Sequence, residues 1–220
     1  MITKLSLETK EGIKMSNGTY EITHKNILES GRKLFLKNGY ERTNLRELCK
    51  GAGITTGAYY RHFTDKEALF SALVEPVVQE ISTIYSTSKE QCFDYIETEQ
   101  LKELFQVTDD TVSVFVHFIY ENFDSFKLLL QCADGTKYVN FVDDIVELEV
   151  ENSIKMLELM EEHGIAVKRL SRQEFHMLNH TYFSCIFEAV MHDYTEKEVL
   201  QYTRTIVNFF TAGWKKVLDL

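Results

Sequence analysis

Turn-forming residues are scarce: the 220 residues include one proline and ten glycines. That scarcity argues against a turn-rich β fold and favours long helices. No run of 18 apolar residues exists, so no membrane span is implied. The opening stretch, MITKLSLETKEGIKMSNGT, lacks an apolar run long enough for a signal peptide, and residues 1–18 read as a partly ordered tail. Cys49, Cys92, Cys132 and Cys185 are far apart and form no CxxC pair. A disulfide framework is therefore not expected, and a reducing cytoplasm is the expected setting. There is no P-loop, GxSxG elbow, dinucleotide fingerprint or HExxH pattern, so neither an enzyme nor a bound cofactor is expected.

Apolar residues make up 44% of the chain, ample for a core, and the length suits one large domain or two small ones. The formal net charge of −10 argues at first against a nucleic-acid partner. Its distribution reverses that. Residues 19–68 hold nine Lys/Arg against six Asp/Glu, whereas residues 69–220 hold twelve against 26. A basic head on an acidic body binds phosphate through the head while the body is repelled.

The spacing of Ile22, Ile27, Leu34 and Phe35 predicts a helix over Thr19–Asn38, stopped by Gly39, with Tyr40 packing back on its end. Thr43 or Asn44 caps a second helix, with Glu47 placed for a capping box. Gly51-Ala52-Gly53 forms a sharp joint, and Ile54 plugs the core beside it. Thr55 caps a third helix over Thr56–His62. Thr64 with Glu67 opens a fourth. This is a helix-turn-helix followed by a long helix. On the third helix, Thr55, Thr56, Gly57 and Ala58 permit close approach to base edges. Tyr60, His62 and Lys66 are spaced to meet phosphates. Tyr59 suits either core or DNA, and Phe63 points inward.

The run Thr43, Leu48, Ala52-Gly53-Ile54-Thr55, Gly57, Tyr60-Arg61-His62-Phe63, Lys66-Glu67 and Leu69 resembles the DNA-binding domain of the tetracycline-repressor (TetR) family over about Ile22–Leu73. The resemblance implies an all-α, homodimeric transcription regulator, with an N-terminal helix-turn-helix domain and a helical ligand-binding and dimerisation domain. It places Thr43, Thr55, Thr56, Gly57, Tyr59, Tyr60, His62 and Lys66 at double-stranded operator DNA; Asn44 and Ala58 join them from the reading of the residues. Tyr59 and Cys49-Lys50-Gly51 depart from the family's usual pattern.

Beyond Leu69, Leu73, Val77 and Ile81 continue an apolar stripe that Pro76 interrupts, either as a kink or as a helix start. Residues 86–108 are polar, with a weak helix at about Glu97–Phe105. Further helices are expected from an Asp109 cap, over Asn122–Ala133 and over Tyr138–His163. Ser171 with Glu174 and Thr195 with Glu198 form capping boxes on the last two. Phe175, Leu178, Tyr182, Cys185, Ile186 and Ala189 line one of these, and Val199, Ile206, Phe209, Phe210, Gly213 and Val217 the other. Faces so apolar suggest a dimer interface. A cavity at Phe115, His117, Phe118, Tyr120 and Phe123 would suit an apolar or aromatic effector. His176 and His180, four apart, could bind zinc or be ordinary interface histidines, and no third ligand is identifiable. The chain therefore reads as a cytoplasmic, ligand-released homodimeric repressor of a palindromic operator, with domains at 19–68 and 69–220. A metal-dependent enzyme using His176/His180 and a dimeric protein-interaction module are the alternatives.

Overall fold

A computed structural model describes the backbone over residues 5–97 and 113–220, and side chains from residue 19 onward. The described residues form helices and no strand. In order they are α1 (Leu5–Asn38), α2 (Leu45–Gly51), α3 (Thr56–Tyr59), α4 (Lys66–Glu97), α5 (residues 113–121), α6 (Phe123–Gln131), α7 (Phe141–Glu162), α8 (Arg172–Met191) and α9 (Glu196–Leu218). The all-α expectation holds, with α1–α3 and the start of α4 as the head and the later helices as the body.

Helix α1 begins at Leu5, so the stretch read as a partly ordered tail has a helical backbone from there on. Its inward stripe is Ile27, Ser30, Gly31 and Phe35. Ile22, expected on that stripe, is 65% exposed. Gly39 ends the helix at φ +78°, its N–H donating to the Phe35 carbonyl at 2.8 Å. Tyr40 then packs on Phe35 and Phe70, with ring centroids 5.8 and 5.4 Å away.

Helix α4 is capped by Asp65, whose Oδ1 accepts from the Ala68 N–H at 2.7 Å, rather than by Thr64. It runs unbroken through Pro76 and on to Glu97, across the polar stretch where no element was expected before residue 97. The helix-start reading of Pro76 is thereby excluded. Proline supplies no N–H to the carbonyl one turn back, and beside that gap Ser125 of α6 donates to the Leu73 carbonyl at 2.9 Å. The helix expected after Glu97, together with Asp109, lies outside the described residues.

Tyr138 belongs to a turn before α7 rather than to the helix itself. That turn, residues 132–140, touches both halves of the molecule. The Tyr40 N–H donates to the Cys132 carbonyl at 3.1 Å. The Lys137 N–H donates to Glu67 at 3.2 Å, and the Tyr138 hydroxyl donates to Glu75. Both predicted capping boxes, Ser171/Glu174 on α8 and Thr195/Glu198 on α9, are formed. Phe115, Phe126, Phe141 and Phe187 build the body core, with ring centroids 6.1 to 6.4 Å apart. No helix among the described residues is long and apolar enough to cross a membrane.

Candidate nucleic-acid interface and body cavity

The joint between α2 and α3 is tight for two separate reasons. Gly53 sits at φ +70°, a left-handed position that side chains rarely adopt. Gly51 lies so close to α1 that an added Cβ would stand 2.4 Å from the Ser30 hydroxyl. That hydroxyl donates to the Leu48 carbonyl at 2.9 Å, fixing α2 on α1. The Ile54 N–H closes the joint on the Cys49 carbonyl at 2.9 Å. In the unusual run Cys49-Lys50-Gly51, Cys49 is buried and Lys50 points to solvent.

This joint presents the start of α3 outward. Thr55 caps it, accepting from the Ala58 N–H at 3.2 Å. Thr55, Thr56 and Gly57 are exposed, Ala58 is half-buried, and Tyr60 is 55% exposed. Asn44 is exposed at the start of α2, where its Oδ1 accepts from the Arg46 N–H at 2.8 Å; the expected box with Glu47 is not formed.

Four residues expected at DNA are held otherwise. Thr43 is 4% exposed, and its hydroxyl donates back to the Gly39 carbonyl at 2.7 Å, closing the α1–α2 turn. Tyr59 is 0% exposed; its hydroxyl donates to the Asp65 carbonyl at 2.7 Å, and burial lifts its pKa well above the ordinary value. Lys66 donates to the carbonyls of Tyr40 (2.6 Å), Thr43 (3.1 Å) and Glu41 (3.3 Å). Those three bonds match the donors an ammonium has, so Lys66 ties α4 to the α1–α2 turn rather than waiting for a phosphate. His62 stacks on Tyr20, with centroids 4.1 Å apart, beside His24 at 5.5 Å. Burial, then the neighbouring His24 and Arg61 charges, lowers its pKa, so at neutral pH it offers a hydrogen bond and no charge.

Arg46, Lys50 and Arg61 are exposed cations on the same head, and none forms an ion pair among the described residues. Sequence reasoning passed over them because it looked for the pattern of the third helix. An unpaired cation within a few residues of the turn was the signal that could have found them.

On the body, Leu178, Tyr182, Cys185, Ile206 and Phe210 are half-buried, Gly213 is exposed and Phe209 is 73% exposed. Phe175, Ile186 and Ala189, expected on the same face, are buried within the subunit instead. They sit on the inner side of α8, where Phe175 stacks on Trp214 with centroids 5.8 Å apart.

None of the five residues expected to line an effector pocket lines the cavity found between α4, α7, α8 and α9. Phe115 is core. His117 is exposed and pairs with Glu196 at 2.8 Å. The Tyr120 hydroxyl donates to the Tyr194 carbonyl at 2.6 Å, and its ring stacks on Phe123. Phe118 packs on Phe126 at 5.8 Å. A cavity of about 180 Å³ lies deeper, between α4, α7, α8 and α9. Each helix gives it one stripe: Tyr85, Lys89, Cys92 and Phe93 from α4; Glu149, Asn152, Ser153 and Met156 from α7; Phe175, Asn179, Tyr182 and Phe183 from α8; Thr211 and Trp214 from α9. These spacings of three and four mark residues on one helical face, a regularity visible only once the packing partners are known.

The His176 Nδ1–H donates to the Glu147 carboxylate at 2.8 Å, and His180 approaches the Ser184 hydroxyl at 3.3 Å. No group of three His, Cys, Asp or Glu able to hold a metal exists among the described residues. The metal-enzyme alternative therefore has no support in this pair.

The profile of bacterial regulatory proteins of the tetR family matches residues 27–73. The regulator AcrR of Shigella flexneri is 45% identical over 53 residues, 24% of this chain and 25% of that protein. The repressor AcnR of Corynebacterium diphtheriae is 41% identical over 59 residues, 27% and 31% of the two chains. The chain thus matches about a quarter to a third of the length of these relatives, over the head alone. Whole-chain likeness appears in solved structures. The TetR-family regulator PfmR of Thermus thermophilus aligns at TM-score 0.54 and 18% identity, over 83% of this chain and 97% of that one. A regulator from Aquifex aeolicus aligns at TM-score 0.53 and 20% identity, over 86% and 98%. At such identities the shared feature is the fold.

Proposed function

We propose that this chain, whose residues 27–73 match the tetR family of bacterial regulatory proteins, is a member of that family: a cytoplasmic, homodimeric, sequence-specific DNA-binding transcription regulator, acting as a ligand-released repressor. The observation that carries the reading is the exposed edge Thr55-Thr56-Gly57 on a rigid helix-turn-helix, flanked by unpaired cations. Thr55, Thr56, Gly57 and Ala58 face base edges, where hydroxyls bond and a methyl meets a thymine methyl. Tyr60, Asn44, Arg46 and Arg61 meet phosphates, which position the head without reading sequence. Residues 19–68 act as the head and residues 69–220 as the body.

The half-buried and exposed apolar stripe of Leu178, Cys185, Ile206, Phe209, Phe210 and Gly213 pairs with its copy across a two-fold axis. Such a dimer sets two heads about 34–36 Å apart, on successive major grooves of a palindromic site. A small apolar or aromatic effector enters the cavity and moves α4. The 132–140 turn, bonded to Tyr40, Glu67 and Glu75, passes that movement to the head. Operator and effector then weaken each other's binding by the same factor. Fluorescence anisotropy with DNA from upstream of the protein's own gene tests the reading. Sequence-specific, salt-dependent binding is expected; no discrimination between that DNA and random duplex at low salt would overturn it.

A further inference from the structure

Two polar groups lining the cavity have no partner among the described residues. Glu149 on α7 has no hydrogen-bond or ion-pair partner among the described residues. Asn179 on α8 is 4% exposed, and its side-chain N–H group also lacks a partner. Buried polar groups are normally satisfied, and buried carboxylates are normally paired. Around these two stand the faces and edges of Tyr85, Phe93, Phe175 and Trp214. A negative group within an aromatic wall suits a cation with an apolar body, since ring faces attract positive charge.

Lys89 lines the same cavity, so its charge has to be weighed. Its ammonium lies 5.8 Å from the Phe93 ring centre and forms no ion pair with Glu149. Burial raises the pKa of Glu149 to about 7. The field of Glu149 reaches Tyr85 and Cys92 instead, adding to the burial that raises their pKa values. Glu149 is half-buried and lines the cavity.

We infer that the cavity binds a lipophilic organic cation, with Glu149 as its counter-charge and the Asn179 amide as a polar anchor beside it. This rests on reading the cavity as the effector site, and it names the class of effector. The Asn179 amide turns its oxygen to the cation's polarised hydrogens, because either orientation of the group fits a site where it is unbonded.

Trp214 is the single tryptophan of the chain and lines the cavity, so its fluorescence reports occupancy. The full-length protein, without DNA, is titrated with benzyltrimethylammonium, with the neutral isostere neopentylbenzene and with phenylacetate. The cation is expected to bind at least tenfold more tightly than either. Glu149→Gln should weaken the cation at least tenfold while neopentylbenzene still binds, which shows the variant's cavity intact. Glu149→Asp should retain part of the preference. Cation affinity should also rise as pH climbs through about 7, as Glu149 ionises; facing it are Lys89, Tyr85 and Cys92 from α4 and Tyr182 from α8, while α9 brings no titratable group. Tighter binding of phenylacetate or of the neutral isostere, unchanged cation affinity in Glu149→Gln, or no binding of the cation would each overturn the inference. Because no DNA is present, failure here leaves operator binding to be judged separately, and failure of operator binding leaves this result standing.

Discussion

At the scale of single residues, the chemistry was legible and the direction of side chains was not. Thr43, Tyr59 and Lys66 are all residue types that DNA surfaces use, and they sit in a run that resembles a DNA-binding domain. Each nevertheless points inward, to Gly39, Asp65 and the α1–α2 turn. One rotation about a Cα–Cβ bond decides between phosphate and carbonyl, and spacing along the chain carries no information on it. The consequence is testable. Lys66→Ala removes three charge-assisted bonds and should lower unfolding stability by about 1.5–3 kcal/mol, while leaving the salt dependence of DNA binding unchanged. Arg61→Ala should instead reduce the slope of log affinity against log salt by about 0.9. Salt titrations of both variants decide; a reduced slope for Lys66→Ala would restore it as a phosphate contact. Glu149 gives a second residue-scale prediction. Burial raises its folded pKa to about 7 from 4.5, so the folded state holds the proton more tightly than the unfolded. Stability from this group is present below pH 4.5, falls as pH rises towards 7 and is absent above it. The full loss is up to about 3 kcal/mol. Glu149→Gln should remove that decline, measured as melting temperature against pH, and a variant no more stable than wild type at pH 8 would contradict it.

Whole helices were easier to read than their contacts. The Ser171/Glu174 and Thr195/Glu198 boxes were legible because a cap is local: its partners lie three residues apart and need no tertiary structure. The Glu47 box failed because Asn44 bonds Arg46 instead, and Glu67 is drawn away by the Lys137 N–H. Helix α4 was the least legible element. Its C-terminal half is polar because Ser86, Thr87, Glu90, Gln91 and Asp94 face solvent, and Pro76 looked like a boundary. Packing of Leu73, Val74, Val77 and Ile81 into the core holds the helix together across the proline. Proline in a helix interior costs about 3 kcal/mol relative to alanine. Pro76→Ala should therefore raise stability by roughly 1–3 kcal/mol in denaturant melts. A destabilised variant would mean that the bend, rather than the missing bond, is what the packing requires.

For the molecule as a whole, charge asymmetry and the helix-turn-helix point to the head as the proposed DNA-binding end, whereas the cavity proposed as the effector site was invisible in the sequence. The expected pocket followed a dense run of aromatics from Phe115 to Phe123, and dense aromatics proved to be core and surface packing. The cavity draws single stripes from four helices far apart in the chain. In the proposed dimer, pairing turns one weak head into a specific binder, and Phe209 is the most exposed large apolar residue of the proposed interface on α9, at 73%. Phe209→Asp should give a monomer in sedimentation and lose operator affinity, with the head still folded. The most direct measurement counts protomers on DNA: analytical ultracentrifugation of the protein with a labelled duplex selected from its own upstream region. Two protomers per duplex, bound far more tightly than to a scrambled duplex and released as salt rises, is the predicted result. One protomer per duplex, or equal affinity for both duplexes, would contradict a homodimeric, sequence-specific regulator.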